Sequence, residues 1–373
     1  MLQMNNDTSS VLEINLSALA HNYRYIRSKL NNNTKLLGVV KANGYGSESI
    51  AIAKKLESLG IDYLAVAFIQ EGITLREEGV KAPILVLHPQ VEQFNALITH
   101  CLEPSLYSIR TLEAFIEAAK GSENYPIHIK INTGLNRLGL SVQDFNAVVK
   151  LLNSEKAVRV KGLLSHLAAS DDPLERDFTQ RQISLFKDYA QIFEAALGPI
   201  EIKHLLNTSG ILHYPEAQFQ MARSGIGLYG YSNAAKTDAE LRPVATLKCK
   251  ISQIHELAPG DWVGYNKGFV AKEKMKIATL TIGHADGIGR QYGHGKGVVT
   301  IQGAAAPIIG NVCMDMIMVN LGDIAAKEGD AVVVFGGDSS EGLTAELFAK
   351  GAKTISYELL TGIGARVKRH IIA

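Results

Sequence analysis

Lys41 stands where an apolar run stops. Leu36 to Val40 is rich in aliphatic and β-branched residues and reads as a buried strand, and Ala-Asn-Gly-Tyr-Gly breaks the chain immediately after the lysine. An ammonium group in an apolar setting loses hydration, which lowers its pKa and leaves a nucleophilic amine suited to Schiff-base formation. Polar groups recur at the ends of later apolar runs: Lys130 in IHIKIN, His166 in VKGLLSHLA, Asn207, Thr208 and Ser209 after IKHLL, and Arg223 with Gly225 in ARSGIGLYG. A single buried lysine or histidine is ordinarily a satisfied core group, but a series of them at one end of successive strands marks a site. Gly225 and Ile226 can offer backbone N–H groups to a phosphate at a helix start, so the set suits an anionic, carbonyl-bearing cofactor.

Such a ring needs a scaffold that brings strand ends together. Leu16, Leu19, Tyr23, Ile26 and Leu30 recur at steps of three and four, the stripe of a helix that Asn15 can cap. Eight apolar runs follow, at 36–40, 63–68, 83–88, 102–108, 127–132, 160–168, 202–209 and 222–230, separated in several places by helical stretches such as ESIAIAKKLESLG. Alternating strands and helices predict an α/β fold with a parallel sheet, and eight units predict a closed (β/α)8 TIM barrel; a doubly wound open sheet is the alternative. After about residue 243 the runs shorten, alternate and are split by Gly, Pro and Asp, which predicts a β-rich domain, with one late helix over TAELFAKGAKTISYELLTGI. The expected division is a barrel over 12–242 and a β-rich C-terminal domain over 243–373, with residues 1–11 able to join the latter as a strand.

Bulk properties narrow the classes. A formal net charge of +1 argues against a nucleic-acid or membrane-surface role. No stretch reads as a secretory signal or as a membrane span of about 18 apolar residues. Cys101, Cys249 and Cys313 are far apart and form no CxxC, so neither a disulfide framework nor a metal site is expected, and the expected location is cytoplasmic. GIGLYG (225–230) fits GxGxxG, but no suitable acidic residue follows, and GHGKG (293–297) lacks the Ser/Thr of a P-loop.

VVKANGYG, NTGLNRLGL (132–140), SHLAASDD (165–172), NTSG (207–210), ARSGIGLYG, VGYNKGF (263–269), CMDMIMV (313–319) and TISYELL (354–360) resemble, in order, the motifs of bacterial alanine racemase. The resemblance covers nearly the whole chain. It implies a pyridoxal 5′-phosphate enzyme with a barrel, a β-rich second domain and a homodimer with shared active sites, supplying D-alanine for peptidoglycan. It makes Lys41 the lysine that holds the cofactor as an internal aldimine and one of two acid–base groups. Tyr265 is the opposing base, with His166 and Arg223 as the neighbours that assist it. Arg223 is implied to face the pyridine nitrogen. A guanidinium keeps its proton, so the ring is a weaker electron sink than in related barrel decarboxylases, which place an acidic residue there. Tyr45, Thr208, Ser209, Gly225, Ile226 and Tyr357 match phosphate-holding positions, with Asn207 in the same strand end.

Arg137 matches the arginine that takes the substrate carboxylate, and Met314 the residue whose backbone N–H joins it. Lys130 matches a lysine often found carbamylated and paired with that arginine. His204 is expected to support Arg223, and His284 and Asp315 fall in supporting positions. Asn132 stands where the family usually has aspartate, His284 where most relatives carry tyrosine at the substrate entrance, and Leu135 where methionine is common. A serine-preferring or broad-specificity racemase is the alternative within the class. A non-catalytic pyridoxal-phosphate barrel is the alternative outside it, although such carriers lack the β-domain that bears Tyr265 and Met314.

Overall fold

The computed structural model describes residues 9–232, 238–337 and 343–373. Eight parallel strands close a barrel in chain order: β2 (Lys35–Val39), β3 (Tyr63–Val66), β4 (Ile84–Val86), β5 (Glu103–Leu106), β6 (Tyr125–Lys130), β7 (Val158–Leu164), β8 (Ile202–His204) and β9 (Met221–Ser224). Every residue of β3, β4 and β5 is buried, as expected of strands covered on both faces; β3 and β4 read as continuous apolar runs for that reason, while β5 buries Glu103 and Ser105. Leu37 pairs with both Tyr63 and Arg223, so β2 joins β9 and the sheet is closed, not open. The strands stop earlier than the apolar runs suggest, because Lys41, His166 and Asn207 lie beyond the ladder, at its C-terminal mouth. The helix Leu16–Ser28 begins as expected, with Asn15 Oδ1 accepting the Ala18 N–H at 2.8 Å.

A second, eight-stranded sheet is built from β1 (Ser10–Asn15), β10 (Ala245–Leu257), β13 (Met275–Leu280), β14 (Val298–Ile301), β15 (Ala304–Ile309), β16 (Ile317–Asn320), β17 (Ala331–Phe335) and β18 (Lys368–Ile372). A small ribbon of β11 (Trp262–Val263) and β12 (Phe269–Val270) projects from it. β1 lies between its neighbours, antiparallel to β10 with Leu12 opposite Leu247, and parallel to β18 with Leu12 opposite Arg369. The strand at the start of the chain runs over Ser10–Asn15, so residues 12–15, expected in the barrel, belong to the second sheet; residues 1–8 fall outside the described residues. The single late helix is in fact two, Ala345–Gly351 and Ser356–Thr361. Lys353 takes a φ of 58° between them, a left-handed residue that ends the first helix as a C-terminal cap does.

This second layer reaches the barrel mouth. Arg369, on β18, donates through Nε to Gly46 O at 3.1 Å, and Tyr357 packs on Tyr45 with ring centroids 5.9 Å apart. Among the described residues no helix is long and apolar enough to cross a membrane.

Candidate active site

The turn that carries Lys41 is conformationally costly. Ala42, Asn43 and Gly44 have φ/ψ of 53/51°, 53/47° and 61/48°, a left-handed helical turn inside Lys41–Tyr45. That geometry costs an L-residue about 1–2 kcal/mol. It is held by Glu71, whose Oε1 accepts the Ala42 N–H at 2.6 Å while Oε2 accepts Ala67 N–H at 2.7 Å and Phe68 N–H at 3.1 Å. Glu71 gave no sign of this role in the sequence.

Lys41 lines a cavity of about 600 Å³ at the C-terminal mouth of the barrel, with Tyr45, Lys130, Arg137, His166 and Arg223 also in its wall. Asn207, Thr208, Ser209, Gly225, Ile226 and Tyr357 complete one end of it. Burial lowers the Lys41 pKa, Arg137 lowers it further, and Glu71 opposes both. Lys130 is brought down to about 8 by burial and then by Arg137, Arg223 and Lys41, so its amine is partly neutral near pH 7 and open to carbamylation. His166 is held well below the usual imidazole range by burial and by the surrounding cations, Arg223 foremost.

Arg223 is buried and multiply anchored. Its Nη1 donates to His204 Nδ1 at 3.0 Å and to His204 O at 3.0 Å. Its Nη2 donates to Ser165 O at 2.6 Å and Leu205 O at 3.0 Å, with His166 Nδ1 at 3.2 Å. Burial lowers this guanidinium to about 10, which leaves it charged at neutral pH. The five acceptors occupy the terminal nitrogens, and none of them is taken by Nε–H.

At the other end of the cavity, Thr208 Oγ1 accepts the Gly225 N–H at 3.2 Å and the Gly227 N–H at 3.3 Å, and lies 3.2 Å from Ser224 Oγ. Asn207 caps the helix Thr208–His213 by accepting the Gly210 N–H at 2.8 Å, which fixes the strand-to-helix bend. Gly225 precedes the short turn Ile226–Tyr229, where backbone N–H groups lack partners within the helix. A Cβ on Gly225 would overlap the Tyr45 hydroxyl, and Tyr45 is itself stacked on Tyr229 at 4.5 Å. At the rim, Asn132 Oδ1 accepts the N–H groups of Gly134 and Asn136 at 3.1 Å each, while its Nδ2 donates to Asn136 Oδ1 at 2.8 Å. Asparagine can make that last bond and aspartate cannot, so the departure at 132 is matched by Asn136 within the loop that leads to Arg137.

Tyr265, Met314, His284 and Asp315 are not in the wall of this cavity. Tyr265, Met314 and Asp315 line a separate groove of the β-domain with Trp262 and Met316, and Tyr265 is 71% exposed. His284 lies beside that groove, its N–H donating to Cys313 O at 2.9 Å. Arg366 ties the region together by donating to Asp286 Oδ1 at 2.6 Å and pairing with Asp315 at 2.8 Å. Neither Arg366 nor its partner Asp286 was singled out from sequence. Both sit in runs whose spacing carries no pattern.

The chain is similar to known proteins along both of its domains. Residues 14–233 match the model of the alanine racemase N-terminal domain and residues 244–371 that of the C-terminal domain. The alanine racemase of Halothermothrix orenii is 36% identical over 362 residues, covering 96% of this chain and 95% of that protein. The crystal structure of alanine racemase from a D-cycloserine-producing Streptomyces lavendulae superposes with a TM-score of 0.94 at 29% identity, covering 99% of this chain and 98% of that one. That of alanine racemase from Bartonella henselae, with covalently bound pyridoxal phosphate, does so with a TM-score of 0.87 at 28% identity, covering 98% of this chain and 100% of that one. A barrel mouth that gathers a desolvated lysine, a buried guanidinium and a Ser/Thr cradle thus occurs in a chain matched along both of its domains, and the chain belongs to the alanine racemase family, whose members are pyridoxal-phosphate-dependent isomerases.

Proposed function

We propose that this protein interconverts L- and D-alanine with pyridoxal 5′-phosphate as its cofactor. The observation that carries the reading is the meeting of Lys41, Arg223 and the Thr208–Gly225 cradle in one cavity with Arg137 at its rim. The residues fit the cofactor. Gly225 has no side chain where one would close the cradle onto Tyr45, and Thr208, Ser209, Gly225, Ile226, Tyr45 and Tyr357 would hold the phosphate, with Asn207 setting the bend. When bound, the cofactor supplies an aldehyde for an amine and a ring that accepts electrons from the substrate Cα.

The protein's own groups then divide the work. The lowered pKa of Lys41 makes its amine available both to hold the cofactor and to take or return the Cα proton on one face. Tyr265 takes the other face. His166 and Arg223 are the groups on the barrel side that would assist its phenol. Arg137 pairs with the substrate carboxylate, and Met314 contributes its backbone N–H. Arg223 offers only donors, so a ring nitrogen facing it would stay unprotonated and the bound cofactor would be a weaker electron sink.

Tyr265 and Met314 lie on an exposed apolar face, with Met314 59% exposed and Trp262, Val270 and Met316 beside them. That exposure supports a homodimer in which Tyr265 of one copy completes the cavity of the other. The test of the activity is incubation with pyridoxal phosphate and L-alanine or L-serine, followed by chiral analysis over time. Rapid approach to equal D- and L-alanine, with serine slow, is the expected result. Cofactor-loaded protein that racemises neither would overturn the reading, and serine faster than alanine would replace it with the serine-preferring alternative.

A further inference from the structure

Arg223 is the first member of a hydrogen-bonded chain that crosses the barrel interior. Beyond its bond to His204 Nδ1, the other ring nitrogen, His204 Nε2, lies 3.2 Å from His128 Nδ1. His128 Nε2 lies 2.8 Å from Glu103 Oε2, and Glu103 Oε1 accepts from Lys161 Nζ at 2.7 Å. His128 and His204 are fully buried. The strand register gives the chain its direction through the fold. His204 ends β8 near the mouth, His128 is within β6, and Glu103 opens β5 two residues before Ser105, the partner of His128. The barrel makes room for it: Gly162 on β7 pairs with His128, and a Cβ there would overlap the imidazole.

The two ends dictate every proton between them. A guanidinium can only donate and a carboxylate can only accept. Arg223 donates to His204 Nδ1, so the His204 proton must be on Nε2 and point to His128 Nδ1. The His128 proton is then on Nε2, and it points to Glu103. A doubly protonated His128 would push a proton onto His204 Nδ1, setting two donors against each other at the Arg223 contact. Glu103 is suited to anchor the series. Burial pushes its carboxyl up, but the bonds from His128 and Lys161 outweigh burial and hold it below the usual range. Tyr63 also faces it, its hydroxyl 3.5 Å from Glu103 Oε2 and its ring beneath Lys161 Nζ at 5.1 Å.

We propose that the Glu103–Lys161 ion pair is a remote positioning device for Arg223, acting through His128 and His204, each of which carries its single proton on Nε2. The role assigned to the pair in turnover rests on Arg223 meeting the cofactor ring nitrogen. The ordering of the chain itself does not. A carboxylate at the far end keeps both imidazoles pointing one way, and so fixes which face of the guanidinium is left for the cavity.

The test begins on the wild-type holoenzyme with histidine labelled by 15N, the two rings assigned from the signals lost in His128→Gln and in His204→Gln respectively. Both rings are expected in the Nε2–H form with and without cofactor; an Nδ1–H or doubly protonated ring at either position would overturn the proposal. The second arm uses Glu103→Gln. Its single carbonyl goes to Lys161, so its NH2 faces His128 and reverses the chain. A drop in kcat of ~10-fold or more is expected, comparable to losing one charge-assisted hydrogen bond, with KM for alanine little changed. Adding Lys161→Met frees the carbonyl for His128 and should recover at least ~3-fold of kcat, which a merely structural role would not produce. Unchanged kcat in Glu103→Gln, or a double variant no better than the single, would also overturn it. Absence of racemisation by the wild type would remove the turnover role while the ring spectra still decide the ordering.

Discussion

His166 and His204 are held uncharged chiefly by burial, and next by the Arg223 guanidinium they both touch. The consequence for stability has a definite sign. Their folded pKa values lie below the unfolded value of about 6.5, so below that pH the unfolded chain binds more protons than the folded one. Stability should therefore fall as pH drops from about 7.5 to 5.5, by at most ~3 kcal/mol for the two rings together, and be flat with respect to them above 7.5. Urea midpoints of the cofactor-free protein at the two pH values measure it, and midpoints that coincide would contradict the assignment. At this scale the sequence was legible where a polar group closes an apolar run, as at Lys41, His166 and Arg223. It was silent at Glu103 and Lys161, whose partners are far away along the chain, and at Glu71, whose bond to Ala42 N–H joins a helix start to the left-handed turn. His128 did carry a signal: in IHIKIN it alternates with Lys130, so both face the same side of β6.

Elements turn these residues into a site by ending in particular ways. β8 ends on a bend capped by Asn207, β9 ends at Gly225, and β2 ends in the left-handed turn that Glu71 holds. Gly225 tests the first two together. Gly225→Ala would drive a methyl group into the Tyr45 hydroxyl within the cradle, so cofactor binding followed by absorbance should weaken by ~10-fold or more while far-UV circular dichroism is unchanged. Unaltered affinity would mean that the phosphate is held elsewhere. The barrel strands could be read from sequence chiefly by their short apolar runs, clearest at β2, β3 and β4, which are buried on both faces. Their ends could not, since the ladder stops where backbone pairing stops and not where apolar residues do. The left-handed turn was equally hidden, because Ala42 and Asn43 adopt it only under the hold of Glu71. β18, short and half-charged, had no alternation to betray it.

The whole molecule places its candidate groups on two surfaces, the barrel cavity and the exposed groove that carries Tyr265. If each active site draws on both from different copies, two inactive chains should complement each other. Tyr265→Phe mixed with Lys41→Ala should regain up to about a quarter of wild-type activity after random exchange, because one of the two sites in each hybrid dimer keeps both residues. No recovery after exchange has been verified by mass would argue against sharing across subunits.

The place of β1 bears on how the chain is made. Its residue Leu12 pairs with Leu247 on one side and Arg369 on the other. β1 precedes the whole barrel in the chain while both of its partners follow the barrel, so its two edges stay open while the barrel is synthesised. Unpaired edges of that kind invite pairing with other chains. Nascent or truncated forms that keep β1 and lose β10 or β18 are thus the ones most exposed to aggregation, however well their barrels close.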